Sequence, residues 1–358
     1  MTDTPPNEPA GARFREFQDR LDQAVGQRQR GRGRGHDGEQ LTVPVADFAS
    51  YYGRPILKPP VWKHDIAGYL FTGGLAAGGA LIGAGAQLTG RPALRRVGRW
   101  TALGGVTASA YLLVHDLGRP ERFHHMLRVA KLTSPMSVGT WILTAFGPAA
   151  GVAAIAELAP RLPEHGLLGL ARRLAPTVGD VAGLASAVTA PALATYTGVL
   201  LSDTAVPAWH EAYPFMPFVF GGSALAAATG VGLIAVPTAQ TAPLRRLAVV
   251  AATIKYLGGR RMERMGLVGE PYRQGRSGRL VRAGDVLLGV GTVAALFSRR
   301  SRVLSALSGA ALVASSVATR FGVFEAGMAS ARDPKYTVVP QRERRDRREG
   351  RSPAEKGT

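Results

Sequence analysis

Polar and apolar positions along this chain are segregated into blocks rather than interleaved. The run IAGYLFTGGLAAGGALIGAGAQL, Ile66 to Leu88, carries no charge over about the 20 residues a bilayer-crossing helix needs. A buried helix of a soluble protein rarely stays uncharged so long. Blocks of this kind give about eight candidate spans. They lie near 66–88, 100–116, 137–158, 178–201, 216–237, 245–258, 283–298 and 303–321, the sixth and seventh meeting the length requirement least well. The pattern predicts an all-α integral membrane protein, because helices satisfy their own backbone hydrogen bonds where no water is present.

Inside the blocks Ala, Gly, Ser and Thr are as prominent as Leu and Val, which lets helix backbones approach where lipid offers no hydrophobic drive. Gly74 with Gly78 and Gly221 with Gly222 are read as packing positions without chemistry. The echo between GGLAAG at Gly73 and GGSALAA at Gly221 hints at two related halves. Lys, Asp and Glu are almost confined to the span ends. That distribution speaks against a secondary transporter, which gathers charge and broken helices near the midplane, although Pro191 and Pro237 keep that class open.

The mean hydropathy lies close to zero only because charged segments offset the blocks. The formal charge is +19 and the pI near 11.1, and the cations sit in tails and between blocks. This suits anionic headgroups and membrane topology better than nucleic acid. The GRGRG run at Gly31–Gly35 also lacks interleaved aromatics for base stacking. Three segments follow: a disordered basic tail over 1–50, a membrane domain over 51–330 and a basic tail over 331–358. The first 40 residues have no secretory signal pattern, so insertion is expected to rely on the first span. An even number of spans puts both termini on one side, with 117–136, 202–215 and 259–282. The basic residues of this terminal face, Arg260, Arg261 and Arg264 among them, lean it toward the cytoplasmic side of the cell (inner) membrane.

Candidate chemistry gathers on the same face. HDLGRPERFHHM, from His115, is the densest polar cluster; Asp116 with Arg119, and Glu121 with Arg122, offer pairs to hold a folded interfacial loop. WKHD at Trp62–Asp65, TSPMSVGTW before the third span and TYTGVLLSDTAVPAW around Tyr196 and Asp203 complete it. A quinone headgroup needs partners for two carbonyl oxygens, a proton route and an apolar channel, and Tyr, His and Asp at a lipid boundary supply them. The competing reading of Tyr196 and Trp62 is the interfacial aromatic belt. The chain has no cysteine, which excludes disulfides and a thiolate-bound iron–sulfur cluster within it. His64, His115, His124, His125, His165 and His210 fall at span ends or in loops, whereas a membrane haem takes axial ligands inside a bundle. The His124–His125 pair lacks the spaced ligand set of a zinc site. Neither haem nor metal is therefore expected, and electrons would enter and react on one face.

At these residues the chain resembles the NrfD/PsrC family, haem-free membrane subunits of polysulfide reductase-type molybdoenzyme complexes. The pieces that carry the resemblance are SYYGRPILKPPVW with YLFTGGLAAG, HDLGRPERFHHML, TSPMSVGTW, YTGVLLSDTAVPAW, EPYRQGR and ARDPKYTV. The resemblance implies two four-helix bundles and a site for menaquinone or another quinone. The site would lie near helix ends facing a ferredoxin-like four-cluster iron–sulfur subunit, itself bound to a molybdopterin catalytic subunit. It assigns Tyr196 as quinone hydrogen-bond donor, with Tyr69, His64 and Asp65 nearby. Better-known members bear His or Asn where this chain has Tyr69, and they place the terminal face outside the cytoplasm, against the charge lean. His115, Asp116, Arg119 and Asp203 are left for proton relay or for holding the loop that meets the partner. A transporter and an assembly anchor without a quinone site are the competing classes.

Overall fold

A computed structural model describes residues 56–348; the expected tail over 1–50 and the last ten residues lie outside the described residues. Among the described residues all regular structure is helical. Eight long helices follow one another: α1 His64–Leu88, α2 Pro92–His115, α3 Pro135–Ala156, α4 Gly166–Ser202, then, after the short α5 Pro207–Glu211, α6 Met216–Ala235, α7 Ala242–Glu263, α8 Gly275–Phe297 and α9 Arg302–Arg332. A last helix, α10, covers Lys335–Arg348.

Each expected span corresponds to one long helix, but only six of the eight are long and apolar enough to cross a membrane: α1, α3, α4, α6, α8 and α9. The other two carry their charges inside the helix, Arg95, Arg96 and Arg99 in α2 and Lys255 in α7. Neighbour relations form two rings, α1–α2–α3–α4 and α6–α7–α8–α9, each closed by contact of its first and last helix, and α1 and α6 join the rings. Gly78 allows that joint, since a methyl group there would meet the Ala224 carbonyl and the Ala228 side chain. Gly222 likewise faces the α7 backbone at Lys255. Outward faces of α3, α4 and α8 present Trp141, Ile155, Val181, Val188, Val286, Val290 and Phe297, apolar surface that lipid covers at no cost. The molecule is a multi-pass membrane protein.

Two expectations need correction. The segment after 330, expected as a tail, continues α9 to Arg332 and forms α10 as far as Arg348. Charges are also not confined to helix ends. Asp180 lies within α4, Lys255 within α7 and Asp285 within α8. The expected spans held Asp180, Lys255 and Asp285 near their ends, and the helices run on past them where each charge finds a partner. Arg99, buried in α2, donates to Glu157 at 2.9 Å and to Asp180 at 2.7 Å, and Arg95 joins Glu157 at 2.8 Å.

Candidate functional site

The motifs singled out in the sequence assemble at one end of the bundles. TSPMSVGTW folds as a helix start: Ser134 is the N-cap of α3 and accepts from the Ser137 amide, with Pro135 in the first turn, an arrangement that satisfies an orphan N–H and presets φ. Ser137 Oγ and Trp141 Nε1 then donate to the Val129 carbonyl at 2.9 and 3.2 Å, tying down the preceding loop. Gly139, next in the motif, lies against the ring of Tyr196, and any Cβ at that position would overlap the ring. Tyr196 is 7 % exposed and shares an apolar cluster with Tyr69, Phe146, Leu193 and Met216. Its hydroxyl is buried and meets no hydrogen-bond partner, a state that ordinarily costs about 1–3 kcal/mol.

Around this lies a polar rim. Asp65 Oδ2 and His115 Nδ1 are 3.1 Å apart, joining the start of α1 to the end of α2. Asp116 accepts from the Lys63 backbone N–H rather than pairing with Arg119; burial holds its carboxyl above the usual range, opposed by that hydrogen bond. Arg119 is exposed at the start of the 3-10 segment Pro120–Leu127. Asp203 is exposed at the C-cap of α4. His64 stacks on Phe321 with ring centroids 6.2 Å apart, and its Nε2 lies 3.6 Å from Glu325, which Arg276 meets at 3.3 Å. The rim thus divides into an Asp65–His115 pair on the first bundle and a His64–Glu325–Arg276 cluster bridging to the second.

Trp209, fully buried on α5, stacks on Trp62 with centroids 5.9 Å apart and donates from Nε1 to the Val323 carbonyl at 2.8 Å. Two late motifs meet beside it. Glu270 of EPYRQGR pairs with Lys335 of ARDPKYTV at 3.0 Å and accepts from the Tyr336 hydroxyl at 3.2 Å, while Tyr272 donates to the Ala208 carbonyl at 2.9 Å. Hydrogen bonding to Lys335 lowers the Glu270 carboxyl, and the same bond raises the Lys335 ammonium. A cavity of about 290 Å³ lies under α10, lined by His210, Glu211, Tyr336 and Arg344 among others.

The structure therefore places Tyr196 and Tyr69 in one apolar cluster, pairs Asp65 with His115, and sets His64 beside Glu325 and Phe321. Sequence reasoning missed Glu325, and it held Arg276 and Trp209 only as parts of the motifs EPYRQGR and TYTGVLLSDTAVPAW, without a role. Glu325 lies beyond residue 321, where the hydropathy block was cut, and only its pairing marks it. Each described histidine sits in the first or last turn of a helix, at a cap, or in a connecting segment. Among the described residues there is no group of three His, Cys, Asp or Glu able to hold a metal.

A helical, multi-pass membrane protein with an aromatic and carboxylate-bearing site at one end of its bundles is the class these features define. The sequence profile of the NrfD family, polysulphide reductase, matches residues 56–257, more than half of the chain, and the protein belongs to that family. A polysulfide reductase subunit of Wolinella succinogenes is 29% identical over 185 residues, 49% of this protein. The matched stretch spans 57% of that relative's length.

Proposed function

We propose that this protein is the quinone-reactive membrane subunit of a respiratory molybdopterin oxidoreductase. It would pass electrons between a ferredoxin-like iron–sulfur subunit at the terminal face and the menaquinone or other quinone pool. The observation that carries this reading is the Tyr196 hydroxyl, buried in an apolar cluster with no acceptor or donor of its own. A ligand oxygen brought into the cluster would relieve that deficit, which makes binding there favourable. Tyr196 hydrogen-bonds one quinone oxygen, and Tyr69 belongs to the same apolar cluster, which keeps water away. Protons cross the rim between bulk water and the quinone through the hydrogen-bonded Asp65–His115 pair. His64 with Glu325, and Asp116, extend that rim toward solvent. Bound quinone supplies the redox chemistry, and the chain supplies position and proton transfer.

Membership of the NrfD family and the name of the Wolinella relative support an oxidoreductase complex as the setting. Arg119, Asp203 and the cationic α10 present charge to a partner at the terminal face. The test is titration of the detergent-purified chain with a fluorescent quinone-site ligand of the hydroxyquinoline N-oxide type. Saturable quenching, competed by menaquinone, is expected. Absence of saturable binding would leave the chain as an assembly anchor.

A further inference from the structure

Charged groups that the quinone site does not use lie inside the second bundle. Lys255 of α7 and Asp285 of α8 are joined Nζ to Oδ1 at 2.5 Å. Counted along α7 and α8 at 1.5 Å per residue, they stand roughly 12 and 15 Å from the helix ends on the terminal face. Both residues thus lie two turns or more inside their helices. The two ends of the pair differ: the Lys255 side chain is 3% exposed and that of Asp285 38%. Asp285 is the exposed end of the pair and meets Lys255 across the α7–α8 contact. One turn further on is Gly289, beside which there is open space, and exposed Val286 and Val290 mark this surface as lipid-facing.

The inner wall at the same level is polar. Ser315 donates to the Gly284 carbonyl at 2.6 Å, and Ser223 and Ser316 are hydrogen-bonded at 2.8 Å. Arg320, fully buried, lies over the Phe220 ring and donates from Nη2 to the Phe220 carbonyl at 2.7 Å, while its Nε and Nη1 meet no acceptor. The charged group that α7 brings to Asp285 is Lys255. On α8 itself Arg282 stands one turn away, its Nε held by the Gly278 carbonyl at 3.3 Å. What α9 turns toward this part of α8 is hydroxyl, from Ser315 and Thr319 beside Gly284. A bond made only to hold two helices together is served as well or better by apolar side chains of similar volume, and an ionisable pair at this depth marks a proton or ion pathway.

We propose that Lys255 and Asp285 form a proton-carrying site in the second bundle, loaded at its exposed end, Asp285. At rest the carboxylate and the ammonium neutralise each other. An incoming proton forms an O–H bond on Asp285 and leaves the bundle with one uncompensated positive charge, which the low-dielectric interior disfavours. Lys255 relieves it by releasing its own N–H proton toward the hydroxyl-lined interior. Transfer of the Asp285 proton to the Lys255 amine then restores the ion pair, and one proton has moved with no electron exchanged. Coupling of this cycle to quinone turnover rests on the function proposed above; the protonation site itself does not.

The first test treats membranes containing the full-length chain with dicyclohexylcarbodiimide, an apolar reagent that attacks protonated carboxyl groups within lipid, and maps the product by mass spectrometry. Asp285 should be modified, the rate rising by up to about tenfold for each unit of acidification and rising further in Lys255→Met. An unmodified Asp285 in the wild-type chain across pH 5–8 overturns the proposal, and this reading needs no variant to fold. The second test places the assembled complex in vesicles with a trapped pH dye. Lys255→Met should keep quinone-linked turnover and lose the proton carried by the pair. An unchanged proton-to-quinone ratio overturns the proposal. Absence of turnover in the wild-type complex overturns the quinone reading instead, and the labelling result still decides the site.

Discussion

Replacing Tyr196 by Phe separates a quinone donor from an anchoring aromatic, because the structure makes the effects on stability and on binding differ in sign. In the free protein the Tyr196 hydroxyl is buried without a partner. Deleting it removes an unsatisfied group whose burial costs about 1–3 kcal/mol. The ring, which fills the space against Gly139, stays. The quinone-free Phe variant should therefore be at least as resistant to heat in detergent as the wild type. If the hydroxyl donates to a quinone oxygen, its loss costs a similar ~1–3 kcal/mol on binding, and the quinone Kd should weaken by about one to two powers of ten. Electron transfer from the primary substrate to an artificial dye should be unchanged. The assays are ligand-quenching titration for Kd, thermal unfolding for stability, and paired quinone-linked and dye-linked turnover. An unchanged Kd in a normally assembled Phe variant refutes the assignment, and the site would then be sought at Asp65, His115 and the His64–Glu325 pair. Loss of stability without loss of affinity would show that the hydroxyl has a structural partner.

Gly139→Ala drives a methyl group into the Tyr196 ring and should lower stability by about 1–3 kcal/mol as well as quinone affinity, read by the same two assays. Glu157→Gln removes a carboxylate that is 3% exposed and shared by Arg95 and Arg99. Breaking a buried pair costs about 3–5 kcal/mol; with Asp180 still on Arg99, the lower end is expected in an unfolding titration. The Glu270–Lys335 bond has a pH signature. The lowered Glu270 carboxyl contributes stability that is present above the ordinary carboxylate range and lost as pH falls through its folded value. The raised Lys335 ammonium contributes stability that is present below the ordinary lysine range and lost as pH rises through its folded value. A spin label at Arg347 should thus be immobilised at neutral pH and freed in acid, and Glu270→Gln should free it at neutral pH. For sidedness, alkaline phosphatase fused after Thr358 should be inactive if the cationic terminal face is cytoplasmic; an active fusion would place that face outside.

Segregation of apolar from charged residues was enough to locate every long helix, because in lipid a backbone without water has no alternative to helix. The motifs pointed to one end of the molecule for a similar reason: Ser134 and Pro135 mark the start of α3, and His64, His115 and Tyr196 cluster at or near block ends. What the linear order could not disclose was partnership. Asp116 takes the Lys63 amide instead of Arg119, and His64 turns to Glu325, about 260 positions away, because side-chain direction depends on helix rotation that only packing sets. The expected spans began or ended within a few residues of Asp180, Lys255 and Asp285 and stopped before Glu325, whereas the helices run on past them, because a charge unfavourable in lipid is compensated by a partner on another helix. Residue types and block lengths thus determined the class and the helices of this protein. Tertiary structure decided which tyrosine hydroxyl is left without a partner and which charges enter the membrane as pairs, because burial and pairing are properties of neighbours brought from distant parts of the chain.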